Sequence, residues 1–182
     1  MKVTPTKLPE VLLIEPKIFE DARGHFLETY QADRYRDCGV PARFVQDNLS
    51  YSHHGVLRGL HYQLGRPQGK LVWPVQGRIF DVVVDIRKSS PRFGQWISME
   101  LDCTSCSQLY VPEGFAHGFC VLSAEAVVIY KCTDYYAPVE ERGIIWNDTG
   151  LGIDWPVKDP ILSPKDLVYP TLQLAGRDQL PD

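Results

Sequence analysis

The sequence predicts a mainly β fold, a sandwich or a closed barrel of short strands. Apolar residues recur with a period of two in several separate runs. Proline and glycine, 14 of each in 182 residues, are spread along the chain as turn residues rather than gathered in a linker. Helix signals are sparse. Many short strands with few helices bury their faces by packing sheet on sheet.

Taken in order, residues 1–20 carry Leu12, Leu13, Ile14, Ile18 and Phe19. They read as a long strand region able to add to a partner's sheet by its edge. Strands are expected at 24–30 and 44–51, with a short helix at 32–38 between them, stopped by Gly39 and Pro41. Runs 70–75 and 78–86 flank Gln76-Gly77, which reads as a hairpin turn. In the second of these, Phe80, Val82, Val84 and Ile86 take one face, and Asp81 and Asp85 share the other with Ile79 and Val83. Further strands are expected at 95–101, 108–111, 118–122 and 126–132. Ser163-Pro164-Lys165-Asp166 has the pattern of a helix start, with a capping serine, proline at the first helical position and an acid at the third.

The bulk numbers set limits. The length fits one domain spanning 1–182, and 44% hydrophobic residues suffice for a core. A net charge of −4 argues against a general nucleic-acid binder. No secretory leader and no run long enough to span a membrane is visible, so a cytoplasmic location is expected. Five cysteines, an odd number, fit reduced thiols better than a disulfide framework. Cys103-Thr104-Ser105-Cys106 lacks the second pair of ligands a zinc site needs and reads as turn thiols.

Two stretches hold the chemistry. Arg58-Gly59-Leu60-His61-Tyr62-Gln63 sets His61 on the same strand face as Gly59 and Gln63, opposite Leu60 and Tyr62. Pro112-Glu113-Gly114-Phe115-Ala116-His117-Gly118-Phe119 is the other. A lone histidine is more often structural than catalytic. Here, however, Arg58, Lys70, His117 and Tyr130 all fall in strands that a jelly roll would bring around one cavity. The Pro-x-Gly-x-x-His spacing resembles the second motif of the cupins. Where the first cupin motif belongs there is a single histidine and no acid before Lys70, so no metal is expected. His53-His54 reads as a turn before Gly55. Alone, Tyr130 would pass for a core aromatic, Asp166 for a helix-cap residue, Arg23-Gly24 for a turn and Tyr135-Tyr136 for surface aromatics.

Together these residues resemble one cupin family, the dTDP-4-dehydrorhamnose 3,5-epimerases. The resemblance runs from Arg23-Gly24-x-Phe26 to Leu162-Ser163-x-Lys165-Asp166. It passes through Gln46-Asp47-Asn48, Gly69-Lys70-Leu71-Val72, Gly77-x-x-x-Asp81-Val82-x-Val84-Asp85-x-Arg87 and Gly143-Ile144-x-Trp146-Asn147-Asp148. It implies a cupin-type double-stranded jelly-roll barrel, a homodimer, and no metal or organic cofactor. It implies inversion of C3 and C5 of a 4-keto-6-deoxyhexose carried on dTDP, on the way to L-rhamnose. By the same resemblance His61 is the general base, Asp166 its partner, Tyr130 the acid on the opposite ring face, and Lys70 the cation at O4 of the sugar. Arg23, Phe26, Glu28, Gln46, Asp47, Asn48, Arg58, His117, Glu141 and Lys165 fall at positions that contact sugar, phosphates or thymidine. Tyr136 matches the aromatic that stacks on thymine.

The residue types suit that chemistry. Removing a proton next to a ketone needs a positioned base and a stabilised enolate. The ketone lies between C3 and C5, so one cation serves both carbons. Inversion needs removal and delivery on opposite faces, hence two different groups. A pyrophosphate calls for arginine. The competing readings are a single-carbon epimerase, a non-catalytic nucleotide-sugar-binding cupin and, weakest, a metal-dependent dioxygenase.

Overall fold

The computed structural model describes residues 1–41 and 43–182. Its strands are β1 (Lys2–Pro5), β2 (Leu12–Glu15), β3 (Ile18–Asp21), β4 (Gly24–Leu27), β5 (Gln46–His53), β6 (Leu57–Gln63) and β7 (Lys70–Gln76). There follow β8 (Arg78–Asp85), β9 (Trp96–Asp102), β10 (Gln108–Val111), β11 (Phe115–Val121), β12 (Glu125–Cys132) and β13 (Glu141–Gly143). A short helix, α1 (Ala32–Asp37), is capped by Gln31, whose side chain accepts from the Arg34 amide at 2.7 Å.

Two antiparallel sheets face each other, one ordered β1-β2-β10-β7-β12-β5 and the other β13-β6-β11-β8-β9. From β5 onward the chain crosses repeatedly between them, which makes the double-stranded jelly roll. Gln76-Gly77 is therefore not a hairpin turn. β7 pairs with β10 and β12, whereas β8 pairs with β11 and β9, so the chain changes sheet at this corner. One linking residue is too few for a hairpin loop. Gly77 has φ +76°, and a Cβ there would sit 2.2 Å from the Glu125 carbonyl oxygen.

The faces of β8 follow the period of two. Ile79 and Val83 enter the core between the sheets, with Leu101, Leu109, Phe119 and Val128. Val82, Val84 and Ile86 point out, under the C-terminal segment that brings Ile144, Trp155, Leu172 and Leu180 across the five-stranded sheet. Outside the other sheet, α1 lays Tyr35 over Ile14, Leu71 and Trp73. Its phenol donates to buried Gln108 at 2.7 Å.

The structure departs from several expected boundaries. Residues 1–20 form three short strands, with Pro9 and Pro16 in the links, and β1 pairs with β2 rather than extending as one long strand. β3 and β4 make a separate hairpin that ends at Leu27. β5 runs two residues beyond the expected end, to His53. β11 begins at Phe115, directly after the turn at Gly114 (φ +87°). No helix follows Ser163, where the chain makes only a turn. Pro170 disfavours helical geometry at Tyr169, so the expected helix has no room.

One close approach positions the site. Gly59 of β6 lies against Gly118 of β11, where their pairing shifts register between His117 and Phe119. A Cβ on Gly59 would fall 2.5 Å from the Gly118 Cα and 2.9 Å from the His117 carbonyl oxygen, and Gly59 has φ +136°. Gly59→Ala is expected to destabilise the protein by about 2 kcal/mol or more, read from denaturant unfolding midpoints. Unchanged stability would show that these strands have slack.

Candidate active site

Between the sheets, at one end of the barrel, lies a cavity of about 570 Å³. The five-stranded sheet contributes Arg58 and His61 from β6 and His117 from β11, while the other sheet contributes Gln46 and Asn48 from β5, Lys70 from β7 and Tyr130 from β12. The chain after β12 closes the rim with Tyr136, Glu141, Lys165 and Asp166.

His61 and Asp166, 105 residues apart in sequence, meet at 2.6 Å between Nε2 and Oδ1. Asp166 is 2% exposed, and its other oxygen accepts from the Ser163 hydroxyl at 2.8 Å. A carboxylate on Nε2 fixes that nitrogen as the protonated one and leaves the Nδ1 lone pair as the basic site. The Tyr169 ring stands edge-on to His61, centroids 5.8 Å apart, and lies against Gly143, the residue opposite His61 on β13.

Burial pushes the His61 imidazole below its ordinary 6.5, against the pull of Asp166, with Lys70 and Lys165 adding to the fall. Burial opposes the charge of Asp166, but the His61 bond, Ser163 and Lys165 outweigh it and hold the carboxyl below its usual range. The site thus keeps an uncharged imidazole beside an ionised carboxylate at neutral pH. On the opposite wall, burial lowers the Lys70 amine from 10.5, with Cys132, Glu141 and Asp81 opposing. Burial raises the Tyr130 phenol, so it keeps its proton.

The remaining expected residues divide into two groups. Gln46 accepts from the Tyr136 amide at 2.8 Å and donates to Asn48 at 3.1 Å. The Tyr136 phenol donates to Glu141 at 3.0 Å, and Glu141 pairs with Lys165 at 2.6 Å. Arg58, exposed at the mouth, donates to the Ser52 hydroxyl at 3.1 Å. His117, 7% exposed, is held by Asp81. Four residues lie outside the cavity. Asp47 falls on the outward side of β5 and pairs with Lys131 at 2.9 Å. Arg23 pairs with Asp21, Glu28 with Arg34, and Phe26 is 70% exposed on the β3–β4 hairpin. Sequence reading passed over Ser50, Gln63, Asp81 and Tyr169. For Ser50 and Asp81 the strand alternation was an available signal, since both take inward positions.

Among the described residues no three His, Cys, Asp or Glu side chains gather as a metal-ligating cluster. Among the same residues no helix is long and apolar enough to cross a membrane.

A family model described as dTDP-4-dehydrorhamnose 3,5-epimerase matches residues 5–173. The chain belongs to this epimerase family. It is 53% identical over 169 residues to the dTDP-4-dehydrorhamnose 3,5-epimerase of Shigella flexneri, covering 92% of this chain and 93% of that one. It is 52% identical over 168 residues to that of Pseudomonas aeruginosa, covering 91% and 93%. A crystal structure of the dTDP-6-deoxy-D-glucose-3,5-epimerase of Legionella pneumophila, in complex with dTDP-4-keto-L-rhamnose, superposes with a TM-score of 0.96 at 50% identity, covering 99% of this chain and 97% of that one. A dTDP-4-dehydrorhamnose 3-epimerase of Streptomyces niveus is 43% identical over 168 residues, covering 91% of this chain and 81% of its own.

The shifts give a 3,5-epimerase site a defined pH profile. The base must be unprotonated, so kcat/KM should fall on the acid side only below the ordinary imidazole value of 6.5. On the alkaline side it should fall as Lys70 loses its proton, below the ordinary amine value of 10.5. Measured kcat/KM across pH checks this, and an acid limb at or above 6.5 would contradict it.

Proposed function

We propose that this chain inverts C3 and C5 of dTDP-4-keto-6-deoxy-D-glucose, giving dTDP-4-keto-L-rhamnose for dTDP-L-rhamnose synthesis. The observation that carries this reading is the pairing of His61 with Asp166 on one wall of the cavity while Tyr130 and Lys70 stand on the other. Nδ1 of His61 takes the proton next to the ketone. The electrons move onto O4, where the Lys70 ammonium offsets the charge. Tyr130 returns a proton to the same carbon from the opposite face and is recharged from solvent, to which the His61 imidazolium releases the proton it took. A turn of the sugar then presents the second carbon to the same groups.

Arg58 at the mouth takes a phosphate, as a planar donor that is always charged. Tyr136, held by Gln46 and Glu141, offers a ring on which thymine stacks. Family membership and the dTDP-sugar complex of the Legionella relative support the substrate class.

The working unit is a homodimer in this reading. Leu49 and Tyr51, 64% and 49% exposed, lie on the outward side of β5, and β1 leaves the other edge of the same sheet open. Arg23, Phe26 and Glu28 would then reach substrate from across the interface, since they lie outside their own cavity. A cytoplasmic location goes with the reading, supported by five free cysteines.

Incubation with dTDP-4-keto-6-deoxy-D-glucose, followed by proton NMR of the ring couplings, tests the proposal. Inversion at both carbons is expected. Inversion at one carbon alone would select a single-carbon epimerase, and no inversion would leave a binding module.

A further inference from the structure

The cavity wall holds a second carboxylate-bound histidine, His117, with its carboxylate behind the lining. Asp81 on β8 is 0% exposed, and both its oxygens lie 2.9 Å from Nε2 of His117 on β11. Those are the only hydrogen bonds its carboxylate makes among the described residues. The same face of β8 carries Ile79 and Val83, both part of the apolar core, and at the end of the strand Asp85, which pairs with Arg87 at 2.6 Å. A buried acid costs stability unless it is paired, and an apolar residue would pack there as well. The carboxylate therefore has one task in the fold, which is to hold the histidine.

We propose that Asp81 is a positioning residue for the epimerisation, holding Nε2 of His117 so that the ring turns Nδ1 toward the sugar. The geometry repeats that of the first pair, since His117 and His61 are directly opposite on adjacent strands and each gives Nε2 to a carboxylate. The two differ in access. The His61 side chain is 21% exposed and its base can reach a carbon, whereas that of His117 is 8% exposed with its carboxylate wholly enclosed. His117 is thus a fixed hydrogen-bonding group, not a second base. With Nε2–H given to Asp81, Nδ1 accepts from a sugar hydroxyl. This orients the sugar against His61.

The inference rests on the epimerase reading, and two measurements keep them apart. The first is kinetic, comparing Asp81→Asn, His117→Asn and the double variant. Each single change is expected to lower kcat/KM roughly 10- to 100-fold, mainly through KM. The double variant should be no slower than His117→Asn alone, because Asp81 acts through the ring. A double variant slower by the whole Asp81→Asn factor would overturn the proposal. The second needs no substrate. Nitrogen-15 NMR of the unliganded wild-type protein should show His117 protonated at Nε2 and bare at Nδ1, and a proton on Nδ1 would overturn the proposal even if Asp81→Asn does not fold. Absence of turnover by the wild type would sink the epimerase reading instead.

Discussion

His61→Asn is expected to lower kcat by about a thousandfold or more while leaving the unfolding midpoint nearly unchanged. Of the two carboxylate-held imidazoles that line the cavity, that of His61 is the more exposed, and burial keeps its basic nitrogen uncharged near neutrality. Asparagine is the informative replacement. Its amide can donate to Asp166, which would otherwise be a 2% exposed charge held by the Ser163 hydroxyl alone. The fold keeps its hydrogen bond and loses only the base. Activity close to wild type would remove His61 from the mechanism, whereas a collapse in stability would assign it to the fold.

Lys70→Met is expected to lower kcat by about 10²–10³-fold, comparable to the loss of an oxyanion-hole donor. It should not lower thermal stability. Burial already disfavours the charged amine, and no hydrogen bond ties it to the protein among the described residues. Methionine keeps the unbranched shape without the cost of an enclosed charge. Low activity with equal or raised stability is the mark of a group kept for function rather than folding. A large loss of stability instead would mean that Lys70 is structural.

Much of this arrangement was legible in the sequence. The two faces of β8 follow from alternation alone, because a period of two maps directly onto the sides of a strand. Asp166 could be placed beside His61 only through the resemblance, since the local signal of Ser163-x-x-Asp166 is the same whether a helix follows or the acid turns to a histidine 105 residues away. Gln76-Gly77 misled for a related reason. Two strands with a glycine between them look alike whether the chain folds back within a sheet or crosses to the facing one, and only long-range pairing separates these. Asp47 was grouped with Gln46 and Asn48 by motif, although alternation puts it on the other face. Arg23, Phe26 and Glu28 were assigned by resemblance, which gives positions in a motif but not neighbours in space. Asp81 was read as a polar member of an apolar strand, and its meaning appeared only when β11 brought His117 beside it.

The most direct test of proton abstraction from carbon at His61 is solvent isotope incorporation. In deuterated water with dTDP-4-keto-6-deoxy-D-glucose, the wild-type protein should place deuterium at both C3 and C5, and the His61→Asn protein at neither above the uncatalysed rate. Equal deuterium incorporation by the two proteins would contradict the account.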